Sequence, residues 1–194
     1  MKGGIKIDLV SNKRFPIFIF PLLVFTLALL ASCGKTKPGL PPPLTVEMLK
    51  NAEYHSEWTE PGVVRLTDGE FHEMILPNSV SELIIAFYPD MYSIGDLNGD
   101  LAEDAAVILA TSGGGSGTFI SLEAVINDQG TPKHVATANL GDRTRIKSVL
   151  VKSGLITVDM LTHAPEDPLC CPTMETANHY RLEGDRLIQV SDLE

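Results

Sequence analysis

Tryptophan occurs once in this chain of 194 residues and cysteine three times, and 15 Lys and Arg face 25 Asp and Glu. Each scarcity excludes something. Three cysteines cannot build the disulfide lattice of a small secreted scaffold, so a hydrophobic core has to hold the fold. The shortage of cations leaves a formal charge of −10, which repels phosphate backbones, so nucleic acid is not an expected partner. No apolar run reaches the ~20 uninterrupted residues of a comfortable transmembrane helix. Catalytic signatures are missing as well. There is no Gly-x-Ser-x-Gly elbow, and "FHEMI" (71–75) has His72 and Glu73 but no second histidine four residues after the first. "SGGGSG" (112–117) lacks the Lys-Ser/Thr ending of a phosphate loop and runs into strand-like residues, so it reads as a hairpin connection. Glu82, Asp90 and Glu103 show no spacing that nominates an acid–base pair.

The start of the chain is an address rather than part of a fold. Lys2, Lys6, Lys13 and Arg14 precede the apolar stretch Phe15 to Leu30, which Pro16 and Pro21 interrupt and which leads into "LASC". This pattern resembles the bacterial lipobox. The resemblance implies that residues 1–32 are a lipoprotein signal peptide, removed on export. It also implies that Cys33 carries covalent lipid as the first mature residue. Each buried CH₂ of such chains contributes about 0.8 kcal/mol, so several chains make a lasting anchor. Gly34 stands where an Asp would retain an inner-membrane lipoprotein. The expected place is therefore the outer membrane, facing the periplasm, in a didermal cell, or the extracellular face of the cytoplasmic membrane otherwise. The membrane is thus a partner through lipid.

Residues 33–44 read as a proline-rich linker, an extended spacer between lipid and domain. Residues 45–194 read as a single globular domain. The signal holds four of the Lys and Arg and one Asp, which leaves 11 basic and 24 acidic residues, a formal −13. That surface suits a cation or a basic envelope protein partner.

Within the domain only "TVEMLKNAEY" (45–54) has helical spacing, with Thr45 as N-cap. Thereafter short strands recur. "GVVRLTDGEFHEMIL" (62–76) reads as a hairpin about Asp68-Gly69. "ELIIAFYPD" (82–90) reads as a strand ending at its proline. "DAAVILATS" (104–112), "TFISLEAVIND" (118–128), "KHVATANL" (133–140), "RIKSVLVKS" (145–153) and "LITVDMLTH" (155–163) follow. A last hairpin turns about Glu183-Gly184-Asp185. The expected fold is mainly β: an antiparallel curved sheet or partial barrel with one short N-terminal helix. Trp58, Tyr54 and Tyr92 are candidates for lining a binding face, though core packing is the commoner fate of such rings.

The strongest chemical signal is "GDLNGDLAED" (95–104). Asp96, Asn98, Asp100, the Ala102 carbonyl and Asp104 occupy positions 1, 3, 5, 7 and 9 of a tight loop, a spacing that turns oxygen ligands toward one calcium ion. It is not an EF-hand: Leu101 stands where the invariant glycine belongs, Val107 where the bidentate Glu belongs, and a strand follows where a helix should. "DLNGDLAEDAAV" is similar instead to the calcium loop of FG-GAP and VCBS-type repeats, which implies a structural ion. Only one copy is present, so the repeats' propeller does not carry over. "GDLNGD…EDAAVIL", "GGSGTF", "ATANLGDR", "ITVDMLTH" and "CCPT…YRLEGDRL" together resemble a group of bacterial envelope lipoproteins over residues 62–190. That resemblance implies one folded unit and an envelope location, and no activity.

Cys170 and Cys171 are adjacent, and three readings stay open: a vicinal disulfide, two buried thiols, or a soft-metal site for copper or zinc with His163, His179 and Met174. The function expected is a lipid-anchored binding or structural module with a structural calcium site, with no catalytic residue nominated. The alternatives are an envelope hydrolase and a copper- or zinc-handling protein.

Overall fold

The computed structural model describes residues 39–191 except 61 and 79. The signal segment, Cys33 and the beginning of the linker lie outside the described residues. The fold is mainly β, and its sheets are antiparallel. Among the described residues one helix, α1 (Val46–Lys50), is followed by β1 (Glu53–His55), β2 (Val63–Arg65), β3 (Glu70–Met74), β4 (Glu82–Gly95), β5 (Asp104–Gly113) and β6 (Phe119–Asp128). Then come β7 (Thr131–Asp142), β8 (Arg145–Lys152), β9 (Leu155–Thr162), β10 (Met174–Glu183) and β11 (Arg186–Val190).

Strands β3-β4-β5-β6-β7 form a five-stranded meander, β11-β10-β9-β8 a four-stranded sheet, and β1-β2 a separate pair, and one of the sheets is curled as a half-barrel. The five-stranded sheet carries a hydrophobic core on each face, although its edge strand β3 is mostly exposed. One face meets α1 and the β1-β2 pair through Leu49, Tyr54, Val64, Ile85, Val107 and Val125. The other meets the four-stranded sheet through Ile108, Leu122, Ala124, Ile156, Val158 and Met160. This explains why β5 reads as a continuous apolar run in an antiparallel protein. Ala105, Val107 and Leu109 enter one core, while Ala106 and Ile108 enter the other. Each fully buried Leu or Ile among them contributes about 2 kcal/mol. In β9 the alternation of Ile156, Val158 and Met160 marks one buried face, as its sequence indicates.

Four expectations are corrected. The helix stops at Asn51, whose side chain donates to the Glu47 carbonyl (2.9 Å), so Tyr54 joins a strand and its hydroxyl donates to the Leu49 carbonyl (2.9 Å). The turn at Asp68-Gly69 forms, both residues with positive φ, but closes only the Thr67–Glu70 bridge. Beyond that bridge the strands part, β2 pairing with β1 and β3 with β4. Strand β4 does not end at Pro89. The proline, which has no N–H to give, sits in an irregularity between Phe87 and Tyr92 where the ladder is already broken. Finally, the described part of the linker packs on the domain. Leu44 is buried, and the Pro42 carbonyl accepts from the Asn127 side chain (2.9 Å).

Candidate functional site

Two places carry chemistry: the acidic loop between β4 and β5, and a cavity under the β1-β2 pair. In the loop, each polar side chain is turned onto its own backbone. Asp96 accepts from the N–H groups of Gly99 (2.7 Å) and Leu101 (3.1 Å). Asn98 accepts from the Asp100 N–H (2.9 Å), and Asp100 from the Ala102 N–H (2.8 Å). These interlocked turns wind residues 96–102 into a compact coil. Leu101 takes φ 71°, the left-handed conformation usual for glycine, with its side chain 72% exposed. Asp104 stands apart. It is fully buried and accepts from the N–H groups of Leu97 (2.9 Å) and Asn127 (2.8 Å), which ties the loop to the end of β6. Burial, above all, pushes its carboxyl above the usual aspartate range. The two amide donors oppose that rise, and the nearby charges of Asp100 and Asp96 add to it.

Among the described residues, no three His, Cys, Asp or Glu side chains gather into a metal-holding group. The donor chemistry of the loop nonetheless fits calcium. Every candidate ligand is an oxygen, and a carboxylate oxygen that accepts one N–H keeps a lone pair for a cation.

The cysteine segment takes a different form. Cys170 and Cys171 are joined in a disulfide and lie exposed. His163 bonds to the Leu169 carbonyl (3.1 Å), whereas His179, on β10, bonds to the Thr157 hydroxyl (3.0 Å). The loop between β9 and β10 is held by Asp167, which accepts from the Ala164 N–H (2.8 Å) and from the N–H (2.7 Å) and hydroxyl (2.8 Å) of Thr173.

The second place is not evident in the sequence. A cavity of about 510 Å³ lies between the β1-β2 pair and the five-stranded sheet. Its apolar wall includes Val64, Ile85 and Leu109. Trp58 and Phe119 flank it, with ring centroids 5.0 Å apart. Gly113 makes room for the indole: a Cβ there would come within 3.0 Å of it. Glu123 is the buried carboxylate of the lining, its side chain only 2% exposed. It accepts through Oε2 from the Thr137 hydroxyl (2.6 Å) and from His134 Nε2 (2.8 Å).

His134 and Thr137 are three residues apart, a separation that puts two side chains on opposite faces of a regular strand. A bulge in β7 corrects the phase. Ala136 pairs with Ala124 and His134 with Val125, so Val135 is the extra residue, and both side chains join Glu123 on one face. The backbone N–H of His55 donates to His134 Nδ1 (3.1 Å). Nδ1 therefore carries the lone pair, Nε2 carries the proton, and the ring is neutral. The Glu123–His134 contact is thus a hydrogen bond rather than an ion pair.

Tyr54 and Trp58 do line this cavity, whereas Tyr92 packs against the core. Glu82 instead faces His72 across β3 and β4 (3.4 Å). Nothing in the spacing of Glu123, His134 and Thr137 signals their meeting. No family model, curated protein or solved structure matches this chain. No helix among the described residues is long and apolar enough to cross a membrane.

Proposed function

We propose that this chain is a lipid-anchored envelope protein whose β domain is a binding module, with one structural calcium ion held by the acidic loop. The lipobox-like "LASC" supports the anchor on Cys33. The observation that carries binding is the cavity, which has the size and the mixed apolar and polar lining of a small-molecule site. The lining favours binding over nucleophilic chemistry. His134, the imidazole beside the Thr137 hydroxyl, accepts through Nδ1 and donates through Nε2, so neither nitrogen is free to take a proton from it.

Calcium is supported by the oxygen-only donor set of Asp96, Asn98, Asp100, Ala102 and Asp104. The buried Asp104 carboxylate supports it further, since a nearby cation offsets the cost of its charge. In this reading the ion fixes the angle at which β5 leaves the loop.

Trp58 is the only tryptophan, so its emission reports on the cavity directly. A low-molecular-weight extract of the native envelope is expected to change that emission saturably. A response that only rises linearly with added extract would remove the binding reading. For the ion, the melting temperature is expected to be higher in calcium than in chelator, and equal melting would remove it.

A further inference from the structure

We propose that the cavity is a site for a small organic cation, a primary or secondary ammonium carrying an apolar or aromatic body. The inference rests on the reading of the domain as a binding module and goes on to name the ligand's chemistry.

The lining is asymmetric in charge. Glu57 and Glu123 are its charged members, and no Lys or Arg is among them. Glu123 lies nine-tenths buried and more, yet its nearest polar neighbours, Thr137 and His134, are neutral donors, and both donate to Oε2. Nothing among the described residues donates to Oε1. A buried carboxylate held by neutral donors alone has no cation beside it, an arrangement in which its ionised form is costly unless a ligand cation completes it. Thr137 and His134 hold the group in one orientation, so a ligand does not have to order it on arrival.

The rest of the cavity matches the rest of such a ligand. Trp58 and Phe119 supply aromatic rings to the lining, and the negative quadrupole of such a ring attracts an ammonium or its polarised CH groups. Val64, Ile85 and Leu109 take an apolar body. The ammonium donates to Glu123 Oε1 as a charge-assisted hydrogen bond, which roughly doubles the strength of a neutral one. An anionic ligand of the same shape would meet Glu123 and Glu57 with like charge. A neutral alcohol would leave the carboxylate without its counter-charge.

The test compares three ligands of one shape on the full chain in non-ionic detergent micelles at neutral pH. Phenethylamine, 2-phenylethanol and phenylacetate are titrated while Trp58 emission is followed, with calorimetry as a second readout. Saturable binding is expected for the amine, weaker by about tenfold or more for the alcohol, and absent for the carboxylate. Glu123→Gln keeps an acceptor for Thr137 and His134 and removes the charge. It is expected to weaken the amine by about tenfold and to leave the alcohol unchanged. The three-ligand order on the unmodified chain stands as a test even if that variant fails to fold. Equal binding of amine and alcohol, preference for the carboxylate, or no saturable amine binding overturns the inference. Alcohol or carboxylate binding without amine selectivity would leave the binding module standing and remove only its cationic ligand.

Discussion

Gly95, the last residue of β4, lies directly against Val151 of β8: a Cβ built on Gly95 would stand 2.6 Å from a methyl carbon of that valine. Two residues before Gly95 on the same strand, the Ser93 hydroxyl accepts from the N–H of that valine (3.0 Å). The five-stranded and four-stranded sheets therefore meet at a point with no room for a side chain. Gly95 has no positive φ among the residues that do, so an alanine there is opposed by packing rather than by backbone conformation. Gly95→Ala is expected to destabilise the fold by about 1–3 kcal/mol. Adding Val151→Ala should return part of that loss. Denaturant unfolding of the two variants checks both statements, and a double variant less stable than Gly95→Ala would contradict the steric account.

Asp104 is the acceptor for two backbone N–H groups from different elements, Leu97 and Asn127. Asp104→Ala leaves both donors buried without a partner and is expected to cost about 3 kcal/mol. Asp104→Asn keeps one acceptor oxygen and should cost about half as much. Chemical unfolding gives the size of each effect. Hydrogen exchange at the Leu97 and Asn127 amides shows whether the loss begins there.

Leu101 takes its left-handed conformation with its side chain mostly in solvent, so replacing it removes strain and little packing. A non-glycine residue in that region costs about 1 kcal/mol. On the calcium reading, Leu101→Gly is expected to tighten the loop's affinity by about fivefold, read by titrating calcium against the melting temperature. An unchanged affinity would show that strain at 101 does not limit the site.

His72 on β3 lies between Glu70 (3.1 Å) and Glu82 of β4 (3.4 Å). Its hydrogen bonds to Glu70 and then to Glu82 raise its pKa above the ordinary 6.5. For a histidine with a raised folded pKa, the stabilisation is fully present below pH 6.5 and is lost as pH rises through the folded value. The effect is small because the cluster is exposed and screened by salt. An NMR titration is expected to place the His72 midpoint above 6.5. Glu70→Gln should lower it, and Glu82→Gln should lower it less.

The disulfide between Cys170 and Cys171 distinguishes the three readings of that segment. Intact mass is expected to rise by two hydrogens on reduction, with no copper or zinc released. A stoichiometric metal lost in Cys170→Ser would instead establish the soft-metal reading.

Local patterns carried much of the architecture. Alternation in "LITVDMLTH" and the turn residues between short runs pointed to antiparallel strands; β9 and β11 lie where those patterns put them, while β10 starts earlier, at Met174, where it already pairs with β9. The unbroken run of β5 was harder to read, because a strand buried on both faces has no alternation to display. Pro89 misled for a physical reason. Proline stops a regular ladder, but the irregularity between Phe87 and Tyr92 absorbs it and lets β4 continue to Gly95. The turn at Asp68-Gly69 was legible and its hairpin was not, since partner choice beyond the first bridge depends on which neighbour buries more surface.

The two candidate sites divide along the same line. The candidate oxygen ligands of the acidic loop lie within nine consecutive residues, so spacing alone proposes them. The tertiary structure adds that Asp104 is the buried member of the set, anchored to Asn127. The cavity depended on pairing across the sheet. Glu123, His134 and Thr137 share a face only because Val135 is bulged out of β7, and Trp58 comes over Phe119 from a strand pair that joins no other sheet. The sequence by itself determined a mainly β antiparallel domain and one acidic loop, because both follow from residues close together in the chain. Only the tertiary structure decided that Glu123 is buried beside His134 and Thr137 at a cavity, because register and bulges are settled by long-range packing and leave no local mark.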